Sequence, residues 1–331
     1  MGSRFRAAVI GCGRIGSEFD EDPKRKYIAT HAGAYSTVQG CELAAVCDND
    51  QVKLNKCLER WSVPAGYNDY KEMMAREEID IVSVCTPPGT HYSIIKDLVK
   101  YKGLKAIFCE KPLADNLTDA RKIVRLCGQK NIILQVDHQR RFDSLHRGLR
   151  RFIEKNEMGK PQQVNFYYAG GIRNTGSHMF DLLRFFFGDA EGIEAFFSKN
   201  SSGKKDDPNL DGIVRFKSGL LATFQACDGK EYLIFELNCF FEKGRIVLKD
   251  SGFDIDFYSI KDSAYFSGYK QLYTKKSPFK TAYNRNFMVN AVKHLLGYVK
   301  GKAGSVSSGI DGLRALELVE NGISSAAKRG K

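Results

Sequence analysis

Residues 4–16 read Arg-Phe-Arg-Ala-Ala-Val-Ile-Gly-Cys-Gly-Arg-Ile-Gly, a short apolar strand running straight into a turn with glycine at 11, 13 and 16. The spacing G-x-G-x-x-G has a physical meaning after a strand. The two leading glycines, Gly11 and Gly13, let the backbone turn tightly and approach a pyrophosphate. The third, Gly16, allows close packing of a helix on the strand. Phosphate oxygens would then meet the N–H groups and positive dipole end of the helix, with Arg14 and Ile15 between the glycines. A single such turn is a weak signal, so its surroundings decide the reading.

Those surroundings alternate. A helix is expected at 30–38 and a strand at 42–47 that ends in Asp48. Helical patterning at 51–61 follows, then the near-continuous apolar run 79–85 (IDIVSVC), as expected of a strand buried on both faces of a parallel sheet. It stops at Thr86-Pro87-Pro88, which cannot continue a ladder. Helix 91–101, strand 105–109, helix 116–129 and strand 131–136 complete the series. Strand–helix alternation of this kind predicts a doubly wound parallel sheet. Beyond about residue 150 the pattern changes to successive strands at 161–168, 191–198, 211–217, 219–227, 232–242, 244–249 and 253–260. Glycine hairpin signals such as Lys217-Ser218-Gly219 and Glu242-Lys243-Gly244 join several of them, which predicts a mostly antiparallel sheet. Two helices, 284–299 and 310–327, close the chain.

Asp48 at the end of the second strand is placed to accept hydrogen bonds from an adenosine ribose and to repel a 2′-phosphate, which favours NAD over NADP. The alternative is that Asp48 caps the next helix. Its distance from Gly16 exceeds the roughly 20 residues of the usual spacing. The excess is the charged stretch Ser17–Thr30, read as an insertion beside the phosphate turn, from which a lysine could still serve NADP. Glu110-Lys111-Pro112 ends another expected strand, and carboxyl ends of strands border the ligand crevice of such sheets. A lysine there can stabilise an alkoxide as hydride moves. Further on, glycines at 170, 171 and 176 deliver His178 to the start of an amphipathic helix, and imidazole titrates in the right range to exchange a hydroxyl proton. Asp181 lies three residues along the same helix, where it could orient His178 or serve packing.

Composition narrows the classes. Nine cysteines lie at 12, 41, 47, 57, 85, 109, 127, 227 and 239 with no CxxC pair and no metal-ligand spacing. Scattered thiols in an odd number point to a reducing compartment, so the cytoplasm is expected and no metal is. No run approaches the ~20 apolar residues of a membrane span, and the first residues lack the apolar stretch of a secretion signal. The net charge of +12 is dispersed in small knots such as Lys24-Arg25-Lys26, without interleaved aromatics. Nucleic acid and membrane are therefore not expected partners, and a field drawing in acidic small molecules is the simpler account.

Taken in order, G-C-G-R-I-G, Cys85-Thr86-Pro87-Pro88 with His91, Glu110-Lys111-Pro112, Arg140-Arg141-Phe142, G-S-H-x-x-D-L and the closing G-I-D-G-L-R-A-L-E-L resemble the glucose–fructose oxidoreductase / inositol dehydrogenase / rhizopine-catabolism (Gfo/Idh/MocA) family across nearly the whole chain. The resemblance implies an NAD(P)-binding Rossmann domain over 1–130 and an α+β substrate and oligomerisation domain over 131–331, whose open sheet builds homodimers or homotetramers. It implies Lys111 as the catalytic lysine and His178 as the proton-transferring residue. Thr86, Pro87, Pro88, His91 and Glu110 are then expected at the cofactor, and Arg141 and Asn174 beside Lys111 and His178 at the substrate. The implied reaction is hydride transfer between a nicotinamide and a secondary alcohol or ketone of a sugar, polyol or nucleotide sugar. A glycoside-cleaving enzyme that uses NAD transiently and a non-catalytic cofactor-bound regulator are the alternatives. One departure is notable: many polyol dehydrogenases of the family carry Asp four residues before the histidine, where this chain has Asn174, which cannot relay a proton. The insertion at 17–30 and the basic stretch 270–280 would suit a phosphorylated or nucleotide-linked sugar.

Overall fold

The computed structural model describes residues 4–279 and 286–329. Lys280, at the end of the basic stretch, and the first two residues of the helix expected at 284–299 lie outside them. The described residues form two compact units, one of 4–143 with 286–313 and one of 144–279 with 314–329.

The first unit is built on six parallel strands: β1 (Phe5–Ile10), β2 (Cys41–Cys47), β3 (Ala65–Tyr67), β4 (Ile81–Val84), β5 (Ala106–Cys109) and β6 (Ile133–Val136), in the order β3-β2-β1-β4-β5-β6. Ala7–Ile10, Ile81–Val84 and Ala106–Cys109 are buried throughout, because helices cover both faces of the sheet. Those helices are α1 (His31–Thr37), α2 (Gln51–Trp61), α3 (Tyr70–Arg76), α4 (Pro88–Leu98) and α5 (Leu117–Gln129). Four of them start on a side chain that accepts a backbone N–H of the first turn: Thr30, Asp50, Asp69 and Asn116. The strand order reverses between β1 and β4, so the carboxyl ends of these two strands border the crevice where such sheets take a ligand.

The second unit holds α6 (Ser144–Glu154), α7 (Ser177–Phe187) and an eight-stranded sheet. Its strands are β7 (Pro161–Tyr168), β8 (Ala190–Phe197), β9 (Leu210–Phe216), β10 (Leu221–Ala226), β11 (Phe235–Phe241), β12 (Gly244–Lys249), β13 (Asp254–Asp262) and β14 (Lys270–Lys275). Their order is β14-β13-β12-β11-β7-β10-β9-β8, antiparallel except where β7 runs parallel to β10. Both expected hairpins form, β9 to β10 through Gly219 at φ +86° and β11 to β12 through Lys243-Gly244. Residues alternate between buried and half-buried along β11 and β12, so one face carries the core. Aromatic edges lock that core: Phe166 meets Phe235 at 4.6 Å and 82°, and Phe180 meets Phe224 at 5.4 Å and 87°.

The chain then returns to the first unit through α8 (Phe287–Val299), whose Met288, Ala291, Val292 and Leu295 join one core with Ala32 and Tyr35 of α1. Finally α9 (Gly309–Arg329) closes the chain. These units part at different residues from the expected 1–130 and 131–331. Strand β6 is hydrogen-bonded to β5, and α8 packs into the first core. Apolar periodicity marks a buried helix face without saying which core buries it. Strands β3 and β14 and helices α3 and α6 were not anticipated; β14 was read only as part of the basic stretch.

Phe166 is fully buried on the central strand β7. Truncating it to Ala should cost about 3–5 kcal/mol of stability, measured by denaturant unfolding with an unchanged m-value.

Candidate active site

The glycine turn is tight behind and open in front. Gly11 has φ +97°, and a Cβ there would lie 2.8 Å from the carbonyl carbon of Cys85. A Cβ on Gly16 would lie 1.9 Å from the Gly11 carbonyl oxygen, whereas one on Gly13 would meet nothing within 4 Å. Among the described residues, the N–H groups of Gly13, Arg14 and Ile15 donate to no backbone carbonyl. A backbone with open space and spare donors suits a pyrophosphate. Asp48 holds this turn in place: its Oδ2 accepts the Cys12 N–H at 2.7 Å and its Oδ1 the Asp50 N–H at 2.9 Å. The cap of α2 is Asp50, not Asp48. A carboxylate has about four lone-pair sites, so Asp48 retains acceptor capacity for ribose hydroxyls.

The helix after the turn is interrupted. Ser17 and Glu18 N–H groups bond the Gly13 carbonyl at 2.9 and 3.1 Å, and the chain then leaves as a 3-10 turn, Glu18–Glu21. Regular helix begins only at His31, whose N–H and that of Ala32 bond the carbonyls of Ile15 and Gly16 at 3.1 and 3.0 Å. The stretch 17–30 is thus an insertion spliced into one helical path. Asp20 closes it by accepting from Ala29 N–H and the Thr30 hydroxyl at 2.7 and 2.5 Å, and the Phe19 ring lies under Arg14 and Arg25.

At the carboxyl end of β5, Glu110 is buried and Lys111 half-buried. Glu110 Oε2 accepts the Lys111 backbone N–H at 3.1 Å, and its Oε1 lies 3.0 Å from His31 Nε2. His31 Nδ1 is 2.8 Å from Ser83 Oγ, which is 2.9 Å from the Tyr35 hydroxyl. Asp137, just after β6, completes the cluster, with one ligand atom each of His31, Glu110 and Asp137 within 4.8 Å of one another. Burial dominates the electrostatics: it lowers His31 to about 4, raises Glu110 and raises Asp137 well above the ordinary carboxylate range.

His91 is fully buried, with Nε2 2.8 Å from the Thr86 carbonyl and Nδ1 3.2 Å from that of Leu113. It lies between the Thr86–Pro88 turn and the segment after Lys111, and as a neutral ring it can donate to only one of the two carbonyls. Burial lowers its proton affinity. Cys109 Sγ, 3.4 Å from Nδ1, can donate there while Nε2–H donates to Thr86. Arg141 is also buried, and its Nη1 is 2.9 Å from the Val306 carbonyl and 3.1 Å from Asp311 Oδ1. Those two bonds, both from Nη1, tie it to the segment before α9 and its first turn within the first unit.

In the second unit Gly170 and Gly171 both have positive φ, and a Cβ on Gly171 would strike the Asp207 carboxylate. Asp207 accepts the backbone N–H groups of Arg173 and Asn174 at 2.6 and 3.0 Å, while Asn209 accepts that of Gly171 at 3.0 Å. They shape a π-helical turn, Gly171–Gly176, that leads into α7. Asn174 is exposed, His178 half-buried and Asp181 buried. Sequence reasoning missed Asp207 and Asn209, signalled only by a turn-like Asp-Asp-Pro-Asn, and missed the cluster of His31, Tyr35, Ser83 and Asp137 entirely.

Comparison with known proteins agrees with this geometry. Residues 5–138 match the family model described as "Oxidoreductase family, NAD-binding Rossmann fold", and residues 167–247 match "GFO/IDH/MocA C-terminal domain". A myo-inositol 2-dehydrogenase of Thermotoga maritima is 28% identical over 267 residues, 73% of this chain and 74% of that protein. A D-apiose dehydrogenase of Paraburkholderia graminis is 28% identical over 66% of this chain, a match spanning 59% of that relative's length. The WlbA dehydrogenase of Bordetella pertussis, solved with NADH and UDP-GlcNAcA, superposes with a TM-score of 0.77 at 17% identity, over 98% of this chain and 97% of its own.

His31 should stay neutral from pH 8 downward and take its proton only near pH 4, followed by imidazole nitrogen shifts. Because the folded value lies below the unfolded one, His31's contribution to stability is whole above pH 6.5 and is lost as pH falls toward 4. Against a His31→Gln protein this amounts to about 3 kcal/mol. A midpoint near 6.5 would mean that water reaches the cluster.

Proposed function

We propose, for a chain that belongs to the Gfo/Idh/MocA oxidoreductase family, that it is an NAD-dependent dehydrogenase of a secondary alcohol on a sugar, polyol or nucleotide sugar. The observation that carries this reading is the placing of Glu110-Lys111 at the carboxyl end of β5, in the same sheet as the glycine turn that ends β1. Gly11, Gly13, Arg14, Ile15 and Gly16 hold the pyrophosphate, and Asp48 holds the adenosine ribose. Thr86, Pro87, Pro88 and Glu110 take the nicotinamide ribose, with His91 supporting their turn. Bound NAD supplies the hydride acceptor. Lys111 stabilises the substrate alkoxide as positive charge in a dry site. His178 exchanges the hydroxyl proton near neutral pH. Asn174 holds a substrate hydroxyl without relaying a proton. The substrate class follows the names of the inositol and apiose dehydrogenases and the UDP-GlcNAcA bound to WlbA. Nine free thiols suit the reducing cytoplasm.

We also propose that copies associate through the outer face of the eight-stranded sheet. Register places Phe196, Ile213 and Leu221 on one face of β8, β9 and β10, each more than 40% exposed. Light scattering after size exclusion should give a dimer or tetramer, and Ile213→Lys should shift it toward monomer. A monomeric wild type would remove this part of the reading.

Lys111→Ala should lower kcat by about 10²–10⁴-fold on a responsive sugar while leaving NADH affinity near that of the wild type. Asp48→Ala should weaken NADH binding and narrow its lead over NADPH, followed by fluorescence titration. Undiminished turnover without Lys111 would overturn the assignment. Sugar release without net NADH would point to the glycoside-cleaving mode.

A further inference from the structure

We propose that Asp137 is a neutral carboxylic acid whose proton is bonded to the Glu110 carboxylate, and that Asp137 and His31 are positioning residues that keep Glu110 charged beside Lys111. This inference rests on the reading of Lys111 above.

The argument begins with donors and acceptors. Glu110 and Asp137 come from the ends of neighbouring strands, and a carboxyl oxygen of each lies, with a His31 nitrogen, in a buried group whose atoms are all within 4.8 Å of one another. Two buried ionised carboxylates this close repel and are acceptors only, so a proton on one of them replaces the repulsion with a hydrogen bond. Asp137 Oδ1 is fully buried, and among the described residues no donor reaches it. Its Oδ2 accepts from Gln139 Nε2 at 3.2 Å. Glu110 is supplied differently, by Lys111 N–H on Oε2 and His31 on Oε1. The oxygen lacking a donor thus lies on Asp137, so the proton belongs there, and Glu110 carries the charge.

The His31 ring fixes the rest. Its two nitrogens face Glu110 and Ser83. A neutral imidazole with its proton on Nε2 donates to Glu110, and Nδ1 accepts from the Ser83 hydroxyl. Ser83 Oγ then accepts from Tyr35. Every polar group of the chain Tyr35, Ser83, His31, Glu110, Asp137 is satisfied by one arrangement of protons. Around Glu110 stand His31 and Tyr35 from α1, Ser83 and Cys85 from β4 and the turn after it, Cys109 and Lys111 on its own strand end, and Asp137 and Gln139 beyond β6. Burial pushes the Cys85 and Cys109 thiols up, so neither adds a charge. Three donors to one buried carboxylate hold it ionised, and a negative charge next to Lys111 favours the ammonium.

The test uses the full-length protein. Infrared spectra of ¹³C-carboxyl-aspartate protein should show a protonated carboxyl band at neutral pH that Asp137→Asn abolishes. Asparagine mimics the neutral acid as a donor, so Asp137→Asn should leave the pH limb of turnover assigned to Lys111 in place. Asp137→Leu and His31→Phe remove a donor, let Glu110 take a proton, and should move that limb to lower pH by about one unit. NADH affinity in each variant reports whether it folds, and the infrared band stands even where a variant does not. Absence of the band, or a limb moved as far by Asn as by Leu, overturns the proposal. So does stoichiometric binding of Mn²⁺ or Zn²⁺ that Asp137→Asn removes, which would make the three residues a cation site. Wild-type turnover in Lys111→Met would instead sink the lysine assignment while leaving the band to decide on Asp137.

Discussion

Three strand exits meet at Gly11. Its N–H bonds the Cys47 carbonyl at 2.8 Å, and the Cys85 N–H bonds the carbonyl of Ile10 beside it at 2.8 Å. The ends of β2 and β4 therefore clamp the end of β1 from both sides. A side chain at 11 would collide with the backbone of Cys85 and Thr86, so only glycine lets the three chains converge. Asp48 adds a fourth tie through the Cys12 N–H, so the residue suited to a ribose also holds the phosphate turn in shape. The glycine turn, Asp48 and the Thr86–Pro88 turn all start from these three exits.

Polarity has been driven deep beneath that clamp. His31, Ser83 and Asp137 are at most 1% exposed, at a depth where an unpaired polar group costs a few kcal/mol. Such a cluster persists when its hydrogen bonds are complete, and a complete network permits few proton arrangements. The spliced insertion 17–30 leaves this arrangement intact, because α1 resumes on the carbonyls of Ile15 and Gly16 and brings His31 to the same depth. An insertion that looks like a disturbance of the phosphate turn is absorbed within a single helical turn.

Much of this was legible from the chain alone. The glycine turn, the apolar strands and the ends at Asp48, Thr86 and Glu110 follow from local periodicity and turn chemistry. Such signals extend over a few residues, as do the interactions they report. The buried cluster was not legible, since His31 lies 52 residues from Ser83 and 79 from Glu110, and each looks ordinary in its own segment. Helix α8 is legible as a helix, but its place in the first unit is not, because an apolar face carries no address. Arg141 shows the opposite difficulty. Its tripeptide suggests a substrate ligand, and nothing local to it announces the bonds that Nη1 makes to Val306 and Asp311, far along the chain.

The second unit shows how a residue change can alter chemistry without altering shape. Asp207 and Asn209 hold the turn that leads to His178 through its backbone N–H groups, including that of Asn174, and the Ser177 hydroxyl donates to the Asn174 carbonyl. A π-helical turn of this kind accommodates an extra residue and recurs at functional sites. The three bonds to Asp207 and Asn209 end on main-chain N–H groups, so they would survive a change at 174 between carboxylate and amide. Asparagine at 174 carries no charge and no titratable proton. A change of side chain there alters the charge the loop presents before it alters the loop's path.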